Sequence, residues 1–150
     1  MKLSFNNKPK GNIKKNILFV CVENAGRSQM AEGLFRKYAP KDYEPISAGT
    51  VAKSQINPLD AEVMREIGID IGNQKPKELS EEMIKNADKV INMGCMDKNF
   101  CPTLFVPKAL DWGIKDPKGK PIEKVREIRD EIERKIKEIV EEIGKGNMNN

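Results

Sequence analysis

Histidine is absent from all 150 residues. A nucleophile in this chain therefore has no imidazole to activate it, and any proton donor must come from Asp, Glu, Lys, Tyr or Cys. Cysteine is scarce, at three residues. In a chain read as cytoplasmic, so few thiols argue against a disulfide framework and for metal binding or thiol chemistry. Long apolar runs are missing too. The longest, residues 17–22 (ILFVCV), falls far short of the roughly 20 residues of a membrane span, and the N-terminal stretch lacks the apolar centre of a signal peptide. A cytoplasmic protein without membrane contact is expected. An excess of one charge is lacking as well: 27 Lys and Arg stand against 23 Asp and Glu, a net +4. Much of that excess is Lys2, Lys8, Lys10, Lys14 and Lys15, which reads as a solvated arm and not as a nucleic-acid site.

What remains is one globular core's worth of chain, with 38% hydrophobic residues. The organisation expected is a basic, flexible arm at 1–15, a single catalytic α/β domain at 16–143 and a frayed tail at 144–150. Residues 16–20 form a short β-favouring run that meets a Gly-containing turn, and from Ser28 the apolar residues Met30, Leu34 and Phe35 fall at helical spacing. Residues 44–48 predict a second strand, and 57–66 a helix with Pro58 in its first turn and Gly68 as its stop. A further helix is predicted at 78–86 with Ser80 as its N-cap, a third strand at 89–93, and a fourth within 105–112. From Ile122 to Ile143 the apolar residues recur on one helical face. This alternation of strand and helix implies a parallel sheet.

The chemistry concentrates in residues 21–28 (CVENAGRS). Cys21 stands at the carboxyl end of the first predicted strand, where open α/β sheets bind ligands. Successive N–H groups of a tight loop, together with the start of the following helix, form a nest for an anion. Arg27, six residues after Cys21, can take two oxygens of a tetrahedral ion at once, which a lysine does poorly. The same positive surroundings favour the thiolate, the form of Cys21 that attacks. Ser28 can donate a hydrogen bond to it, and Asn24 can brace the loop. A buried thiol that merely ends a strand is the plain alternative. For Cys95 and Cys101 the readings are redox thiols, core packing, or half of a metal site; the C-x5-C spacing without histidine leaves a zinc site incomplete.

The segment 21–32 (CVENAGRSQMAE), with 46–49 (ISAG), 68–71 (GIDI) and Asp116-Pro117, resembles the low-molecular-weight protein tyrosine phosphatase superfamily and, within it, the thioredoxin-coupled arsenate reductases. The likeness runs from about Ile17 through the last helix. It implies a four-stranded parallel sheet flanked by helices on both faces, a Rossmann-like arrangement. It also implies that Cys21 attacks arsenate or a phosphate-like oxyanion held by Val22, Glu23, Asn24, Ala25, Gly26, Arg27 and Ser28. Cys95 and Cys101 match the second and third thiols of a relay regenerated by a thioredoxin-like reductant, and Asp116 matches the general acid.

Two electrons reduce arsenic from +5 to +3, and a thiol pair supplies them by becoming a disulfide. A phosphatase needs only one thiol and returns unchanged through a phosphocysteine. Phosphatases of the superfamily typically follow Asp-Pro with an aromatic residue; here Lys118 and Gly119 follow, against phosphotyrosine recognition. No cofactor is required. Some reductases of the group hold potassium, and Asn24, Glu32, Ser47 and Asp70 would match that site. Glu23 departs from the pattern, since a carboxylate in an anion loop repels the ligand unless it points outward. An arsenate reductase is expected, with a phosphatase as the alternative and a non-catalytic oxyanion-binding module as a third class. A monomer is expected.

Overall fold

A computed structural model describes residues 14–94 and 109–146. Most of the expected arm, Cys95, Cys101, the beginning of the expected fourth strand and residues 147–150 lie outside the described residues. The elements are β1 (Lys15–Cys21), α1 (Arg27–Tyr38), β2 (Tyr43–Gly49), α2 (Pro58–Arg65), α3 (Glu81–Asn86), β3 (Lys89–Asn92), β4 (Ala109–Asp111) and α4 (Ile122–Gly144). The strands form one parallel sheet in the order β2-β1-β3-β4. β1 lies inside the sheet because its residues 17–21 are all apolar and buried on both faces.

Alternate residues of β1 feed two cores. Ile17, Phe19 and Cys21 face a large cluster with Met30, Leu34 and Phe35 of α1, Val63 and Met64 of α2, and Ile128, Ile132 and Ile136 of α4. Leu18 and Val20 face a smaller cluster with Ala48 and Val90, covered by Leu79, Met83 and Ile84 on the side of α3. Helices thus cover both faces. The chain passes from β1 to β2 on one side and to β3 on the other, so the carboxyl end of β1 is the point where strand order reverses. A crevice opens at such a point, and the loop 21–28 fills it.

β2, α2, β3 and α4 differ from the expected bounds by one residue at one end or both, Gly144 closing α4 instead of opening the tail, and two further boundaries have a visible cause. Lys15, counted with the arm, is the first residue of β1 and pairs in register with Tyr43. The helix expected from Glu78 begins at Glu81. Gly49 N–H donates to Lys77 O and Leu79 N–H to Gly49 O, both at 2.8 Å, so residues 77–79 are bound to the end of β2 by a parallel bridge. Ser80 then caps the helix by accepting from Met83 N–H. Among the described residues no helix is long and apolar enough to cross a membrane.

Candidate active site

The loop 21–28 is held open by its own carbonyls. Those of Cys21, Val22, Glu23 and Ala25 accept from the N–H groups of Thr50, Val51, Lys53 and Asn57 at 2.8–3.1 Å. The carbonyls are turned towards the segment after β2, and the N–H groups of Glu23, Ala25 and Gly26 make no hydrogen bond among the described residues. Unpaired inward donors are the substance of an anion nest. The close approach needs Gly49, where a Cβ would meet Val22 O at 2.5 Å and Asn24 N at 2.8 Å.

Within the loop Asn24 takes the left-handed conformation, φ 53°, which asparagine tolerates better than most residues. Its N–H donates to Cys21 Sγ at 3.2 Å. Its side-chain amide donates to Ser28 Oγ at 2.6 Å, which leaves the Ser28 hydroxyl proton to point at Cys21 Sγ, 2.8 Å away. Two donors therefore converge on the sulfur, as the thiolate requires.

Arg27 is buried. Its Nη1 donates to Ile114 O at 2.8 Å and Gly94 O at 3.0 Å, while its Nη2 lies 3.8 Å from Asp116 Oδ2. One edge of the guanidinium is thus fixed by the chain leaving β3 and β4, and the other keeps donors for a ligand. Gly94, at φ 146°, leaves the necessary room, because a Cβ there would lie 2.7 Å from both Arg27 Nη1 and Ile114 O. Asp116 is half exposed and anchored by Lys118 N–H at 3.0 Å. Glu23 is drawn sideways to Lys118 Nζ (3.2 Å) and Lys53 Nζ (3.8 Å), so its charge is paired at the rim.

Cys21, Glu23, Arg27, Asp60, Asp116 and Lys118 line one small recess with free volume of about 20 Å³. A broader groove beside Lys14, Arg36 and residues 39–45 lies by the amino ends of the strands and is lined by no thiol among the described residues.

The residues matched to a potassium site do not fit one. Asn24 Oδ1 already accepts from Gln29 Nε2 and Lys77 N–H, both at 2.8 Å, which uses both lone pairs. Glu32 Oε1 accepts from Ser47 Oγ at 2.6 Å and has Lys77 Nζ at 3.9 Å, while Oε2 accepts from Arg36 at 2.9 Å. Asp70 is exposed and turned to Gly72 N–H at 2.8 Å. Glu32 and Ser47 do meet, but the positive charge beside them is the ammonium of Lys77. No group of three His, Cys, Asp or Glu side chains suited to a metal occurs among the described residues.

The structure thus gathers Cys21, Asn24, Arg27, Ser28 and Asp116 and leaves Asp70 outside; Cys95 and Cys101 lie outside the described residues. Sequence reasoning missed Asp60, Gln29 and Lys77. Gln29 joins the loop to the following chain by donating to Asn24 Oδ1 and Lys75 O. Its position right after CVENAGRS was the one available signal, since a polar residue there sits on the buried side of α1.

Residues 16–149 match the family described as Low molecular weight phosphotyrosine protein phosphatase. The chain belongs to this family. An arsenate reductase of Staphylococcus aureus (strain Newman) is 40% identical over 121 residues, 79% of this chain and 91% of that protein. Among solved structures, the thioredoxin-dependent arsenate reductase of Corynebacterium glutamicum superposes with a TM-score of 0.75 at 38% identity, covering 91% of this chain and 65% of that one. The YwlE arginine phosphatase of Geobacillus stearothermophilus gives 0.78 at 29% identity, covering 91% and 97%. Reductases and phosphatases of the family share this architecture, so the fold alone does not choose between them.

Proposed function

We propose that this chain reduces arsenate to arsenite. The observation that carries the reading is the 40% identity to proteins named arsenate reductase, over most of both chains, in a sequence with two cysteines beyond the loop. Arsenate occupies the nest, with Arg27 on two of its oxygens. The Cys21 thiolate attacks arsenic, and one oxygen departs as water with a proton from Asp116. Cys95 then attacks the Cys21 sulfur; the new disulfide leaves its two displaced electrons on arsenic, and arsenite is released. Cys101 attacks Cys95, which frees Cys21 and leaves Cys95–Cys101 for a thioredoxin-like reductant. The small recess suits an inorganic ion. The cytoplasm, where such a reductant operates, is the compartment this chemistry calls for.

The second reading is a phosphatase, favoured by the family's own description and by the arginine phosphatase superposition. Cys21 would form a phosphocysteine, and water would restore it. Intact mass after arsenate exposure separates the two. Reduction leaves the chain lighter by about two mass units, one disulfide, and Cys95→Ser and Cys101→Ser abolish turnover with the reductant. Turnover that survives both substitutions sinks the relay, and rapid hydrolysis of an aryl phosphate without thiol loss supports the phosphatase.

A further inference from the structure

Asp60 is the group at this site that the reaction above does not use. It lies in the first turn of α2 and is only 2% exposed, yet its carboxyl makes no hydrogen bond or ion pair with any described residue. A Cβ on Gly26 would collide with Asp60 Oδ2 and lie 3.7 Å from Pro117 Cγ. The carboxyl is therefore wedged between the anion loop and the Asp116-Pro117 turn, and it lines the same recess as Cys21.

The charged and titratable groups facing it are Cys21 and Glu23 from the loop, Arg27 from α1, and Asp116 and Lys118 from the turn after β4; Asn57, which caps α2 and also lines that recess, is neutral. Both cations are engaged elsewhere. Arg27 is 3.8 Å from Asp116, and Lys118 is 3.2 Å from Glu23. A buried carboxylate without donors is costly, whereas the neutral acid offers an O–H that needs an acceptor. The recess is built to hold an ion made of acceptors.

We propose that Asp60 is a further binding residue of the oxyanion site: as the neutral acid it donates its proton to an oxygen of the bound tetrahedral ion, and as the carboxylate it repels that ion. Binding is then coupled to one proton held by Asp60. Burial, then the negative charge of Asp116, push this carboxyl up to about 7, against the opposing pull of Arg27. The start of α2 also favours ionisation, but by less than about tenfold in the equilibrium. The transition falls near neutral pH, and affinity drops as pH rises through it. This inference rests on the oxyanion-site reading and is the same for arsenate reduction or phosphoester hydrolysis.

Sulfate is a suitable probe because it keeps its double charge across neutral pH. Its affinity for the full chain carrying Cys21→Ser, which removes the thiol from the recess, is measured by calorimetry. For a carboxyl titrating near 7, affinity should weaken about tenfold between pH 6 and pH 8. Adding Asp60→Asn, which keeps a donor and cannot ionise, should remove most of that loss. An affinity that is flat with pH in the Cys21→Ser protein, or the same loss in the double variant, overturns the proposal and leaves the oxyanion site standing. No sulfate binding at either pH overturns both.

A second readout guards against a misfolded variant. The carbon-13 carboxyl shift of Asp60 in the unsubstituted chain should titrate at higher pH with sulfate present, and an unmoved midpoint also overturns the proposal.

Discussion

The sulfur of Cys21 receives the Asn24 N–H and faces the Ser28 hydroxyl, and Ser28 is itself oriented by the Asn24 side-chain amide. A hydrogen bond to a charged group is worth roughly 1.5–3 kcal/mol, so Ser28→Ala should slow attack on the oxyanion by about 10- to 100-fold while the fold persists. Single-turnover thiol loss with arsenate measures this, and an unchanged rate would remove Ser28 from the mechanism. At this scale the sequence was informative wherever residue type and spacing both carried meaning. Cys21, Arg27 and Ser28 fall in one continuous segment, and the hydrogen-bond partners of Cys21 and Ser28 lie within it. Asp60 could not be read this way. In a sequence, an aspartate in the first turn of a helix is an ordinary favourable choice, and only folding places it over Gly26 and next to Asp116.

The secondary elements divide the work unequally. α4 closes the larger core through Val125, Ile128, Ile132, Ile136 and Ile139, and Arg129 ties it to α2 by donating to Val63 O and Glu66 Oε1 at 2.8 Å. α3 is a six-residue helix with no fully buried residue, held by its cap and by partly buried Met83 and Ile84. Ile132→Ala should therefore cost about 2–5 kcal/mol and Ser80→Ala about 1 kcal/mol, compared through urea midpoints. Equal losses would contradict this division. Periodicity made α4 legible over its whole length because 23 residues repeat one pattern. The start of α3 was not legible: residues 77–79 carry helix-compatible side chains, but Gly49 supplies backbone partners that a sequence pattern does not reveal.

At the scale of the whole molecule, the sheet order brings residues from distant parts of the chain to the end of β1. Carbonyls of Gly94 and Ile114 fix Arg27, and Lys77 reaches back to Asn24 and Glu32. Because Lys77 Nζ also donates to Lys75 O at 2.9 Å, a tethered ammonium stands beside the paired Glu32 and Ser47. Exchanging sodium for potassium at equal ionic strength should leave melting temperature and turnover unchanged; a rise specific to potassium in either would show that an ion still binds. By itself the sequence determined the local grammar: the apolar strand ending at Cys21, the anion loop, the helix after it and the long amphipathic helix. Each follows from neighbours along the chain. Only the tertiary structure decided which charges face one another. The pairing of Glu23 with Lys118, the fixing of Arg27, the approach of Lys77 to Glu32 and the burial of Asp60 over the loop all depend on distances across the fold. Electrostatic energy depends on separation and surroundings in space, and separation along the sequence does not specify them.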